Sequence, residues 1–538
     1  MRLSAIYQKE WLKLRRGFAA LLIASLFVGG YFVFDLMGQF ANIEPESMMW
    51  YRLVHLQDKP YSWLSYGFIF IAVIVACCQY IPEVQGNKVR ILAHLPWSLN
   101  KVVAQHVIAG CVVIFIANAI IISFALGVMN HYYPIDLVWL TAQDLLYGQL
   151  AAMAAYLGLT AVIVESNWWR KAIKIVATSL TVILLFKPHF EWLDLLYSAL
   201  IFWLLLLVKD SFLSVKTRRI EWVGFTASLP VIIAALCVSN SWDFYQKYAV
   251  QHTKFYLFHS AMLGDFVFQR NAENHQFFYG TTQVDLTKQE FEQALPFVYW
   301  KNLDIQGKLP ITVGEITYNK QQIRTSRLSL QYDPTRLEQL EVPLYPLFNP
   351  DSALGAIRFP EQVFVTHAQQ LTVYDAETAK VNAELTQELN QLAQQQGMHF
   401  PIQHVWGKTT NMKPFDWGYF IYDAQGSLFN LKRGDDVVSL TKVDIASDID
   451  ELVYVQVSEN RHKAFYGYAV AQDSQVYLIS YPDYQFIPLA LDEFDHHTMS
   501  FQLLSDPLNY LVRYDDGDQY HAVTFDKQYK KLASTQFE

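Results

Sequence analysis

Apolar runs long enough to cross a lipid bilayer recur through the first 240 or so residues of this chain and then stop. That split constrains the fold more than any motif does. Backbone inside hydrocarbon has no water to bond to, so a spanning segment must be a helix or part of a closed barrel. A helical span takes roughly 20 mostly apolar residues. Seven stretches qualify as candidates: Gly17–Phe34, Trp63–Tyr80, Val102–Met129, Leu137–Val164, Ala172–Phe186, Trp192–Val208 and Ile220–Val238. The fifth and sixth are short, which suits a tilted, re-entrant or hairpin arrangement. Gly17–Phe34 follows a basic start, but it is long and lacks a small-x-small cleavage pattern, so it reads as a retained helix.

The expected fold is an α-helical membrane domain of about seven transmembrane helices followed by a β-rich α+β domain. The segments are an interfacial helix (1–16), the membrane domain (17–239), a linker (240–263), an α+β part (264–414) and a β-rich part (415–538). If all seven spans cross, successive loops alternate sides. One side then holds fifteen Lys and Arg, from Arg2 to Arg219, against Arg52, Lys59 and Lys187 on the other. Basic loops stay cytoplasmic. This places the N-terminus inside a bacterial inner membrane and everything after Val238 in the periplasm or outside the cell.

A net charge of -9 with no basic face argues against nucleic acid as a partner. All four cysteines, Cys77, Cys78, Cys111 and Cys237, lie in apolar runs, so no disulfide is expected after residue 240.

Two cytoplasmic pieces stand out. Ser4–Arg16 mixes Ile6, Trp11, Leu12 and Leu14 with Lys9, Glu10, Lys13, Arg15 and Arg16, as a helix lying along the interface would. The alternative is a basic flank that only sets orientation. The second piece is PEVQGNKVRILAHLPWSLNK, Pro82–Lys101. There Val89, Ile91, Leu92 and Leu95 make an apolar stripe, Pro96 ends the turn and Ser98 can cap the next helix. Within the spans, Asp144 and Gln149 mark a candidate substrate path, although helix–helix hydrogen bonding explains them more simply. No membrane-centred charge relay is evident.

In the second half, Thr287-Lys288-Gln289-Glu290 reads as a capping box. A helix is expected from about Asp375 to Gly397, with Val381, Leu385, Leu389 and Leu392 on one face. GYFIYDAQGSLFNL, AFYGYAVAQDSQVYLI and YLVRYDDGDQYHAV read as strand, turn, strand. Aligning Phe429, Tyr477 and Tyr520 gives intervals of 48 and 43, as in propeller blades; an incomplete propeller-like sheet and a sandwich both fit. WGKTT (406–410) is no phosphate loop, because Ile402 stands where that motif requires glycine. His399, His404, Met412 and His496-His497 lack metal-site spacing, and no nucleophile elbow appears. No cofactor, metal site or catalytic residue is expected.

The basic start IYQKEWLKLRR, together with Glu83, Gly86, Leu95-Pro96, Ser98 and Lys101, resembles the permease subunits of type-2 ABC exporters. In that family the loop is a coupling helix that docks on a separate ATPase. The resemblance therefore implies an ATPase-coupling role for Glu83, Gly86, Lys88, Arg90, Leu95 and Pro96, and a second permease copy or related subunit. Gly86-Asn87-Lys88-Val89 departs from the family's Gly-Thr-Leu-Glu run. FEQALPFVYWKNLDIQGKLP, VPLYPLFNPDSALGAIRFPEQVF, KPFDWGYFIYDAQGSLFNLKR and KAFYGY resemble a bacterial domain family known only as a domain of unknown function. The expectation is a transporter membrane subunit, itself no ATPase, that meets the lipid bilayer, an ATPase and an envelope protein. The alternative is a membrane-anchored sensor or assembly factor that transports nothing.

Overall fold

The computed structural model describes residues 4–86, 88–93, 97–186, 197–217, 223–248, 254–272, 276–337, 342–447 and 449–537. The chain divides into two compact units, Met1–Ala249 and Val250–Glu538.

The first unit is helical: α1 (Ser4–Asn42), α2 (Ser47–His55), α3 (Leu64–Gln85), α4 (Lys88–Ala93), α5 (Leu99–Tyr132), α6 (Ile135–Val164), α7 (Trp168–Leu185), α8 (Ala199–Thr217) and α9 (Val223–Tyr248). Among the described residues four helices are long and apolar enough to cross a membrane: Ile6–Asn42, Leu64–Gln85, Leu99–Tyr132 and Ile135–Val164. This corrects the expected seven. The reason is charge and length. Helix α7 carries Arg170, Lys171 and Lys174, α8 carries Lys209 and Asp210, and the apolar stretch described within α9 is Thr226–Ser239. Residues 187–196 and 218–222, which include Asp194 and parts of the sixth and seventh candidates, lie outside the described residues.

A second correction concerns the N-terminus. Helix α1 runs unbroken for 39 residues, so 1–16 is not a separate interfacial helix. No proline interrupts it, and Ile6, Glu10, Leu14 and Leu21 are buried along one face at helical spacing. Helix α6 is the most enclosed span, with 78% of its apolar window buried. Gly158 lets α7 approach it closely, since a Cβ there would fall 2.2 Å from Thr178.

The second unit is built from antiparallel four-stranded meanders over 254–286, 344–381, 402–443, 452–489 and 500–537. The last gains a fifth strand, Leu328–Tyr332, beside Ser500–Ser505. The first begins at Lys254, inside the stretch read as a linker. Helices α10 (Lys288–Ala294), α11 (Trp300–Ile305), α12 (Lys320–Ser326) and α13 (Ala383–Gln395) lie between strands in the sequence. The capping box at Thr287 and Glu290 is present. Helix α13 is shorter than expected: Asp375 ends a strand, Val381 sits in another, and Asn382 caps the helix by accepting the Leu385 N–H.

All three expected hairpins form. Phe429, Tyr477 and Tyr520 each fall in the third strand of successive sheets, so the interval in the forties is a structural period. Among the described residues the sheets close neither a barrel nor a propeller. Apolar side chains of neighbouring sheets interdigitate instead. Phe364, Tyr419 and Phe429 share one core with α13, while Tyr332, Tyr468 and Phe501 share another.

Gly418 shows how tightly the third sheet is drawn. Its φ is +72°, and a Cβ would lie 1.9 Å from the Leu431 carbonyl oxygen. Gly418→Ala is expected to cost about 3 kcal/mol or more, because both backbone conformation and space oppose the methyl. Chemical denaturation of the full chain, followed by tryptophan fluorescence, measures the loss.

Candidate functional site

The chemistry of the helical unit is concentrated in two buried ionic networks. The first joins α1 to the end of α3. Glu83 is buried, with Lys9 Nζ at 2.7 Å and Lys13 Nζ at 3.0 Å. Lys13 also reaches Glu10 at 2.8 Å. Glu10 is 1% exposed and accepts a hydrogen bond from Gln79 Nε2 at 3.0 Å. Gln79 in turn accepts the Tyr156 hydroxyl proton at 2.7 Å. His106 Nδ1 bonds the Val102 carbonyl, which leaves Nε2 facing Glu10 at 3.5 Å. Two lysines balance two carboxylates, as buried charges require.

Several residues singled out from the sequence thus meet here, though not in the roles expected. Glu83 is enclosed and cannot be a surface docking group in this conformation; it ties the end of α3 to α1. Lys88 and Arg90 are exposed on α4, while Val89 and Leu92 are buried beneath it. Ile91, counted in the apolar stripe, is instead 67% exposed. Gly86 caps α3 with a φ of -92°, so nothing in its backbone demands glycine. Leu95 and Pro96 lie outside the described residues. Trp11, Arg15 and Arg16 are exposed on α1. Asp144 and Gln149 do not share a site. Asp144 accepts from Lys59 Nζ at 2.6 Å and the Tyr61 hydroxyl at 2.7 Å, whereas Gln149 accepts from Asn118 at 2.5 Å.

The second network was missed by sequence reasoning. Glu165, Arg170, Lys174 and Asp210 are each at most 5% exposed. Arg170 donates to Glu165 at 3.1 Å and makes a short contact with Asp210. Lys174 lies 2.8 Å from Glu165, 2.9 Å from Asp210 and 2.7 Å from Ser211 Oγ. Ser214 donates to Glu165 and Thr226 to Asp210. The network links the end of α6 with α7, α8 and α9. It is a set of buried charges where none was expected, because Arg170 and Lys174 were counted as a basic flank. The available signal was Asp210, an acid inside the apolar run LLLLVKDSFL, which needs a buried cation as partner.

In the second unit the motif KPFDW is also ionic. Lys413 is buried between Asp416 at 2.6 Å and Glu459 at 3.3 Å, above the Phe348 ring. Burial pushes the Glu459 carboxyl up to about 8 against the pull of Lys413, and Asp416 adds to the rise. Nearby, Lys432 sits among the rings of Tyr466, Trp417 and Tyr484, with centroids at 4.4, 5.1 and 5.4 Å. It donates to the Tyr484 hydroxyl at 3.0 Å. Burial lowers its ammonium to about 8, with Asp416 opposing. Among the described residues no group of three His, Cys, Asp or Glu is placed to hold a metal. His496 is spent on Ser474, Nδ1 to Oγ at 2.8 Å.

Two outcomes are expected. Lys174→Met strands two buried carboxylates and should cost about 3–5 kcal/mol, read as a lowered unfolding midpoint in detergent. Adding Asp210→Asn should restore part of it. For Lys432 the folded chain releases its proton earlier than the unfolded chain, so between about pH 8 and 10.5 the unfolded state holds more protons. Stability should rise with pH through that window, and Lys432→Met should flatten the rise in a pH series of thermal melts.

A family model described as a domain of unknown function, DUF4857, matches residues 256–525. No curated protein and no solved structure matches the chain.

Proposed function

The chain belongs to the DUF4857 family, and from that premise we propose that it is the membrane subunit of an ABC-type transporter driven by a separate ATPase. The family description carries no activity. The observation that supports the reading is the arrangement of α1, α3 and α4. A six-residue helix follows the end of a span, presents Lys88, Arg90 and Ile91 outward, and adjoins the last turn of α3, which Glu83 locks to α1. Closure of an ATPase pair on α4 would be felt at once by α1, because Lys9 and Lys13 cannot leave Glu83 without stranding it. Glu83 is then the transmitting residue, and Lys88 and Arg90 the docking residues. A second copy or related permease completes the pathway.

The reading places the N-terminus and α4 in the cytoplasm and the second unit outside. That requires an odd number of crossings. The four long helices and α9 supply five, with α7 and α8 as a re-entrant pair. A reporter fused after Glu538 that is active only outside the cytoplasm decides the side.

Affinity purification of the tagged full chain in mild detergent, with mass spectrometry and an ATPase assay, tests the function. An ATPase should co-purify, and Lys88→Glu with Arg90→Glu should lower its stimulated activity at least about tenfold, a loss of ~1.4 kcal/mol of coupling. A complex without an ATPase, together with full tolerance of both reversals, would leave the chain a membrane anchor for its β-domain.

A further inference from the structure

The first and fifth sheets of the second unit enclose two cavities that meet at one residue, Arg513. Its strand, Tyr510–Asp515, pairs with Ser500–Ser505, which pairs with Leu328–Tyr332. On one face this register aligns Arg513, Gln502 and Gln331. Arg513 donates to Gln502 Oε1 from Nε at 2.9 Å and also from Nη2, and Gln502 Nε2 donates to Ser329 Oγ at 2.8 Å. From the opposing strand, Tyr256 and Phe258 lie against the guanidinium with ring centroids at 4.9 and 5.0 Å.

The side chain is therefore fixed, yet its charge is not neutralised. Among the described residues no carboxylate lies within ion-pair distance of it, and its Nη1 has no hydrogen-bond partner. Buried guanidinium groups are ordinarily matched by an acid, and a buried unsatisfied polar atom in a native fold calls for an explanation. Burial also lowers its pKa to about 10, against the opposing influence of Tyr256 and Asp515.

The surroundings differ on the two sides. The larger cavity, about 490 Å³, adds Lys254 and Arg336 to Arg513, against Asp333 and Asp515. Asp333 is occupied with the Thr335 N–H. The smaller, about 310 Å³, has an apolar side formed by Phe258, Leu295, Phe297, Val298, Leu504 and Leu511, and a polar side with Arg327 and Asp506 as well as Arg513. Both are of the size that holds small organic ligands. Two arginines against one aspartate beside an apolar wall favour a molecule with an acidic head and a hydrocarbon body.

We propose that Arg513 is the anchor of a binding site for a small amphiphilic oxyanion, whose carboxylate or phosphate pairs with the guanidinium while its apolar part fills the chamber beside Leu504 and Leu511. The planar fork of arginine suits two parallel bonds to such a head group. This site does not depend on the transporter reading.

Octanoate is the probe, with octanol as its neutral counterpart and phosphate as a head group without a body. Binding is measured by saturation-transfer NMR on the full chain held in amphipol. Octanoate should bind saturably, and octanol and phosphate each at least about tenfold more weakly. Arg513→Gln should lower octanoate affinity by at least about tenfold, and Arg513→Lys by less. Leu504→Trp, which fills the chamber and leaves Arg513 intact, should abolish octanoate binding. Circular dichroism confirms that each variant is folded, and if Arg513→Gln does not fold the Leu504→Trp result decides. Equal binding of octanoate and octanol, or undiminished octanoate binding by folded Leu504→Trp, would overturn the proposal, as would no saturable octanoate binding at all.

Discussion

Lys174 is fully buried, and the end of the helical unit is organised around it. An ammonium in such a place needs opposite charges close by, and Glu165 and Asp210 reach it from the end of α6 and from α8. Arg170 bridges the same two acids, so each charge has two opposite neighbours. The geometry of α7, α8 and α9 follows. Helices α7 and α8 carry too much charge to cross lipid as plain apolar rods, and they fold that charge inward against the end of α6, with Thr226 of α9 donating to Asp210. The network gains less from attraction than it would lose by the removal of one member, which makes it a device of specificity more than of stability.

The same rule acts where α1 meets the end of α3. Glu10 and Glu83 sit one to three per cent exposed, held by two lysines from a single helix turn. Sequence periodicity had suggested a surface helix, and the family resemblance had implied a docking carboxylate. Burial reverses the second of these: an acid that keeps two lysines in place is an internal fastener, and the surface is left to its neighbours on α4.

How much of this the sequence revealed depended on whether the signal was local. The capping box at Thr287 and the three hairpins are set by a few adjacent residues, and all appear in the structure. The repeat marked by Phe429, Tyr477 and Tyr520 was legible because period-two strands carry aromatics at a fixed place in each sheet. Hydropathy located the four apolar spans. It overcounted the rest, because the charges that disqualify α7 and α8 are neutralised by residues up to 40 positions apart, as Arg170 is by Asp210, and no window captures that. Arg513 was invisible for a related reason. In sequence it is one arginine in an ordinary strand, and its significance rests on Tyr256 and Phe258 arriving from about 250 residues away.

One consequence of α1 concerns length. Thirty-nine residues at 1.5 Å each make a rod of about 58 Å, nearly twice the ~30 Å of hydrocarbon it has to traverse. It is fastened near its start by Lys9 and Lys13, and near its end Phe40 stacks on Tyr132 of α5 with centroids 4.4 Å apart. A rod gripped near both ends cannot yield locally. Tilting it by a few degrees about its middle would carry both tips in opposite directions by a few ångströms, so a push at one face of the bilayer would arrive at the other as an equal and opposite swing.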